Sequence, residues 1–145
     1  MAQNTYIKDG RDGGNTFARV TSIGQLNTAP YAYDLTVFME LAEPDTAYNF
    51  YVPKVGKQFI VTGLRAKADR DVSTTVDATV VVYEGATADT TTADKVLYQE
   101  AMVRGESVTL LPLNILVNVG KYVNAKTTDD DIHMTIMGYY IPQLS

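Results

Sequence analysis

From Tyr31 to Leu41 the chain alternates with a period of two: Tyr31, Tyr33, Leu35, Val37, Met39 and Leu41 face one way, and Ala32, Asp34, Thr36 and Glu40 the other. That is the period of a half-buried β-strand. The last long segment repeats it, with Ile132, Met134, Ile136, Gly138 and Tyr140 opposite Asp131, His133, Thr135, Met137 and Tyr139. The β-branched run from Val76 to Tyr83 reads as a third strand, ending at the turn signal Glu84-Gly85. Shorter strands are expected over Tyr48 to Val52, Gln58 to Ala66, Val96 to Met102, Val108 to Leu111, Leu113 to Val117 and Tyr122 to Lys126. Only Thr92 to Met102 has helical spacings, in Val96, Leu97, Glu100 and Ala101, and strand is the preferred reading there. With no long amphipathic helix to cover it, a sheet must bury its apolar face against a second sheet or close on itself. The fold class is all-β, an antiparallel β-sandwich.

The chain has 145 residues, the length of one ordinary domain, and 46% are apolar, enough for a core. A formal charge of −5 without a cluster of Lys or Arg argues against direct nucleic-acid binding. Met1-Ala2-Gln3-Asn4-Thr5 lacks the basic start and apolar run of a signal peptide, and no stretch approaches the roughly 20 apolar residues of a span, so no membrane role is expected. Synthesis in a host cytoplasm follows as the default. The absence of cysteine is compatible with any later redox environment.

The first thirty residues have another texture. Asp9-Gly10-Arg11-Asp12-Gly13-Gly14-Asn15 is polar with little to bury, and is expected to be mobile until assembly orders it. Phe17 to Leu26 is strand-like, and Asn27-Thr28-Ala29-Pro30 breaks the run. Two readings fit: an arm that adds a strand to a neighbour's sheet edge, or a tail ending in a local edge strand. The expected organisation is an N-terminal arm over 1–30 and a single domain over 31–145. Ala86 to Asp94 reads as an exposed connection.

The side chains that usually perform chemistry are scarce. With one histidine and no cysteine, no histidine pair or multi-histidine metal site can form, and acid–base work would fall to carboxylates. Asp129-Asp130-Asp131 is the densest ionisable cluster, and its place between two strands reads as a solvated hairpin turn. A calcium site would require Asp69 or Asp71 to converge on it, and EF-hand spacing is absent. His133 lies on a polar strand face, while Glu40 and Glu84 read as strand ends. No catalytic, cofactor-binding or metal-binding residue is assigned, and no enzymatic activity or cofactor is expected. The ten tyrosines are suited to sheet surfaces and interfaces. Tyr31, Tyr33 and Tyr140 fall on apolar faces, whereas Tyr51, Tyr83 and Tyr139 face away from them.

Gln58-Phe59-Ile60-Val61-Thr62-Gly63-Leu64, Val80-Val81-Val82-Tyr83-Glu84-Gly85, Leu111-Pro112-Leu113-Asn114-Ile115, Gly120-Lys121-Tyr122-Val123 and His133 to Tyr140 together resemble the strand order of jelly-roll domains on tailed-phage virions. Phe17 to Leu26 is similar to the arm segments that precede such domains. The resemblance is to capsid decoration (cement) proteins of the jelly-roll type. It implies a jelly-roll-like sandwich with an extended N-terminal arm, a homotrimer on the outer capsid surface of a virion, and the major capsid protein as partner. Phe17, Val20, Ile23 and Leu26 of the arm, with Tyr83 and Tyr139, are the interface candidates. Similar jelly-rolls occur in tail fibres and adhesins, so a receptor- or glycan-binding domain is the alternative.

Overall fold

The computed structural model describes residues 35–69, 77–129 and 131–143, together with the backbone of 7–8 and 17–18. Its elements are the period-2 segments. β3 (Leu35–Leu41), β4 (Tyr48–Tyr51), β5 (Lys57–Ala68), β6 (Ala78–Gly85), β7 (Lys95–Met102), β8 (Ser107–Leu110), β9 (Ile115–Leu116), β10 (Tyr122–Thr127) and β11 (Ile132–Pro142) follow β1 (Ile7–Lys8) and β2 (Phe17–Ala18). β1 pairs with β2, antiparallel, in the separate unit Met1–Pro30. Val20, Ile23, Leu26, Tyr31, Tyr33 and the run 9–15 lie outside the described residues, as do the side chain of Phe17 and the whole of Asp71 and Asp130.

Two antiparallel sheets form the sandwich. One has the order β4-β10-β6-β7 and the other β3-β11-β5-β8, with β9 continuing beside β5. First strand pairs with last and second with next-to-last, which is the jelly-roll arrangement. The inner faces interleave Leu41, Leu64, Met134 and Ile136 from one sheet with Phe50, Val80, Val82 and Val123 from the other.

Three irregularities adjust the alternation. Opposite Met137 and Gly138, β5 has one residue more than its partner, so its buried phase switches from Phe59 and Val61 to Leu64, Ala66 and Ala68. The outer edge breaks at the same level: Leu113 donates its N–H to the Thr62 carbonyl at 2.7 Å, separating β8 from β9. The extra residue of β4, at Phe50, turns Phe50 and Tyr51 both inward, where Tyr51 stacks on Phe59 at 3.8 Å. Tyr51 is therefore core, contrary to the reading of its strand face as outward. The third falls at Leu97 of β7, where Tyr83 of β6 pairs with Val96 instead.

Other boundaries also move. Glu84 and Gly85 continue β6 and are not its turn. The Asp129-to-Asp131 segment is no hairpin, since β10 and β11 belong to different sheets and it carries the chain between them. Asp131 takes a φ of 58° there, a left-handed conformation that aspartate tolerates in turns.

Candidate functional site

The outer face of the five-stranded sheet carries a shallow groove of about 310 Å³, lined by Phe38, Arg65, Lys67, Ser107, Thr109, His133 and Thr135 among others. Strand register builds it. Phe38 of β3 lies opposite Thr135 of β11, Thr135 opposite Arg65 of β5, and Arg65 opposite Thr109 of β8. Two residues along, the second row runs Glu40, His133, Lys67, Ser107. Each row places its residues on the face opposite the core, because their neighbours Met39, Met134, Ala66 and Val108 point inward.

His133 sits at the groove's acidic margin, its Nε2 3.8 Å from both a Glu40 and an Asp69 carboxylate oxygen. The Phe38 ring and the imidazole meet edge to face, with their centroids 5.9 Å apart. The Phe38 side chain is itself 61% exposed. Reading β3 as polar on this face passed over Phe38, and the single apolar residue interrupting Thr36 and Glu40 was the available signal. Among the described residues, no group of three or more His, Asp or Glu is arranged to hold a metal ion. Asp69 does meet the Asp129-to-Asp131 segment, its N–H bonding to the Asp131 carbonyl at 3.1 Å.

One end of the sandwich carries two turns built alike from the sequence Val-Gly-Lys. In Lys54-Val55-Gly56-Lys57 and Asn118-Val119-Gly120-Lys121, the last N–H bonds to the first carbonyl at 3.1 and 3.2 Å, and glycine takes a φ of 69° and 74°. Glycine supplies the positive φ that such turns require at their third position. The second position is left displayed, so Val55 and Val119 are exposed, and between them lies a cleft of about 320 Å³. Lys54, Lys57 and Lys121 rim this end, with Lys121 paired to Asp94 at 2.7 Å. Glu43, Asp45, Asp69, Glu106, Asp129 and Asp131 gather at the other end, where backbone bonds tie their loops together.

Tyr83 is not available to a neighbour. It is fully buried, its hydroxyl donating to the Thr90 carbonyl at 2.7 Å. The expectation failed because the residues from 86 to 94 fold back over the outer face of the four-stranded sheet as a strap. Asn124, also buried, donates to the Thr87 carbonyl at 2.9 Å, and the Lys126 ammonium to that of Thr91 at 2.9 Å. The Tyr83 hydroxyl is pushed up from its ordinary pKa by burial, against a smaller lowering by Asn124. Tyr139 is half-buried on the outer face of the other sheet, opposite Ile60.

Glu84 is the other residue whose role the sequence reading missed. It points into the sandwich, fully buried, and its two carboxylate oxygens accept the backbone and side-chain N–H groups of Asn118, both at 2.9 Å. Lys95 adds a looser contact at 3.8 Å. The carboxylate thus secures one of the two Val-Gly-Lys turns from within. No protein-family model matches the chain, and no curated protein is similar to it.

Proposed function

We propose that this chain is a non-enzymatic structural protein of a phage virion, which decorates and stabilises the outer capsid surface by binding major capsid protein subunits. The observation that carries the reading is the end built from the twin turns. Exposed Val55 and Val119, rimmed by Lys54 and Lys57 and by Lys121 in its pair with Asp94, make an apolar contact surface with a basic margin on a chain of net charge −5. Such a surface is suited to a protein neighbour, and Glu84 holds part of it rigid in advance, which lowers the entropic cost of contact. The choice of neighbour comes from the jelly-roll strand order and from the resemblance drawn on it.

In this reading the protein acts as a homotrimer on the particle, and the arm over 1–30 reaches an adjoining subunit. Strand addition needs an open sheet edge, and among the described residues the eight of β7 end their sheet with no strand beyond them. Several weak contacts, linked by symmetry and by the arm, resist internal pressure better than one. No cofactor, nucleic acid or membrane takes part. Electron microscopy of purified particles tests the proposal: density for the sandwich is expected on the head exterior, with Val55 and Val119 facing the capsid. Its absence from the head surface would defeat the reading.

A further inference from the structure

We infer that the groove on the outer face of the five-stranded sheet is a binding site for a carboxylate-bearing saccharide. The two rows across β3, β11, β5 and β8 place Arg65 and Lys67 side by side at the centre, with Thr135 and His133 on one flank and Thr109 and Ser107 on the other. Both cations are exposed and neither forms an ion pair among the described residues, although the chain carries more acidic than basic groups. Glu40 and Asp69 lie nearby, where both approach His133 at 3.8 Å. Arg65 and Lys67 are thus left to face an external anion, and a guanidinium grips a carboxylate through two parallel hydrogen bonds.

The rest of the lining selects among carboxylates. Phe38 stands at the end of the Arg65 row, 61% exposed, and an aromatic face packs against the apolar side of a sugar ring. The hydroxyls of Ser107, Thr109 and Thr135 line the same groove and can exchange hydrogen bonds with sugar hydroxyls. An acidic peptide is the less suited occupant. Peptides dock on sheets chiefly by main-chain pairing at an open edge, whereas Arg65 and Lys67 stand on β5, which like β11 is paired on both sides, and only the flanking strands β3 and β8 end the sheet. A volume of about 310 Å³ suits one or two sugar units. This inference stands apart from the capsid reading, which uses another face.

The test is a nuclear magnetic resonance titration of the full chain with tetragalacturonate and with sialyllactose, set beside neutral maltotetraose and a tetraglutamate peptide. At least one acidic sugar is expected to shift the amides of Arg65, Lys67, Thr109 and Thr135, to bind more weakly as salt is raised, and to lose about tenfold in affinity in Arg65→Gln. Phe38→Ala should weaken the same ligand. Both side chains are exposed, so both variants should fold, and unchanged backbone spectra would verify it. The inference is overturned if neither acidic sugar binds at millimolar concentration, if maltotetraose or the peptide binds as tightly, or if Arg65→Gln leaves the affinity unchanged.

Discussion

Two side chains concentrate the energetic argument at the scale of the residue. Glu84 is a buried carboxylate whose oxygens are both occupied by Asn118. Replacing it by alanine strands the Asn118 donors and opens a cavity, so Glu84→Ala should cost about 2–4 kcal/mol in denaturant unfolding. A loss under roughly 0.5 kcal/mol would show that water takes the carboxylate's place. Tyr98 is the opposite case, since among the described residues its buried hydroxyl makes no hydrogen bond of good geometry, although the Glu100 carboxylate lies within its reach. Burial pushes its pKa from 10.0 up to about 12, and the neighbouring Glu100 carboxylate adds to the push. A group whose folded pKa is raised contributes stability in full below its unfolded pKa, and loses it as pH rises through the folded value. Stability should accordingly hold up to pH 10 and fall between 10 and 12. Tyr98→Phe should make that decline shallower, and at neutral pH it should leave stability unchanged or raise it by up to about 1 kcal/mol, because the poorly bonded hydroxyl is gone. A pH series of urea midpoints reads both effects. The role of Glu84 was hidden in the sequence for a definable reason. Val80, Val82 and Glu84 share one strand phase, and a charge in the buried phase reads as the end of burial until its partner, 34 residues away, is known.

Elements were the most readable level. Each core strand from β4 to β11 overlaps a segment proposed from period and turn residues, including β7, where helical spacings competed. Alternation survives single sequences well because it depends on neighbours two apart. Bulges do not, since an added residue is defined only against the partner strand. The phase switch in β5 and the inward turn of Tyr51 were therefore out of reach. Gly138 marks one such place. A Cβ there would collide with the Ile60 carbonyl and the Phe59 ring, so Gly138→Ala should destabilise by about 2–4 kcal/mol, measured as a drop in the urea midpoint. A neutral substitution would mean that β5 and β11 can separate at this level. The strap over 86–94 escaped because Thr, Ala and Asp in low-complexity sequence carry no periodic signal; its attachment comes from Tyr83, Asn124 and Lys126 beneath it. Tyr83→Phe removes one tether worth about 1 kcal/mol, and hydrogen exchange should quicken between residues 86 and 94 while the amides of β10 stay protected. Equal acceleration in β10 would assign Tyr83 to the whole sheet instead.

Across the whole molecule, the question is how stability and assembly are divided. Every member of the described core cluster lies between Leu41 and Ile136, and the chain separates at Pro30 and Tyr31 into two units. The described core of the sandwich is thus drawn from residues of the second unit. Shortening the protein to residues 31–145 should leave a single cooperative thermal transition, with a Tm within about 5 °C of the full chain, a shift equivalent to roughly 1–2 kcal/mol. Assembly should respond differently. If the arm links each sandwich to its neighbour, removing it eliminates a tethered contact and the effective concentration that goes with it, so retention on particles should fall by a factor of ten or more, on the order expected for lost avidity. Val55→Asp with Val119→Asp should reproduce the loss of retention with a change in Tm of no more than a few degrees, because Val55 is fully exposed and Val119 is 47% exposed, so little buried area is lost. Co-sedimentation with particles and calorimetry on the same samples separate the two functions. A large fall in Tm on truncation would make the arm part of the folded core, and undiminished retention in both variants would place the capsid contact on a surface other than the turn end and the arm.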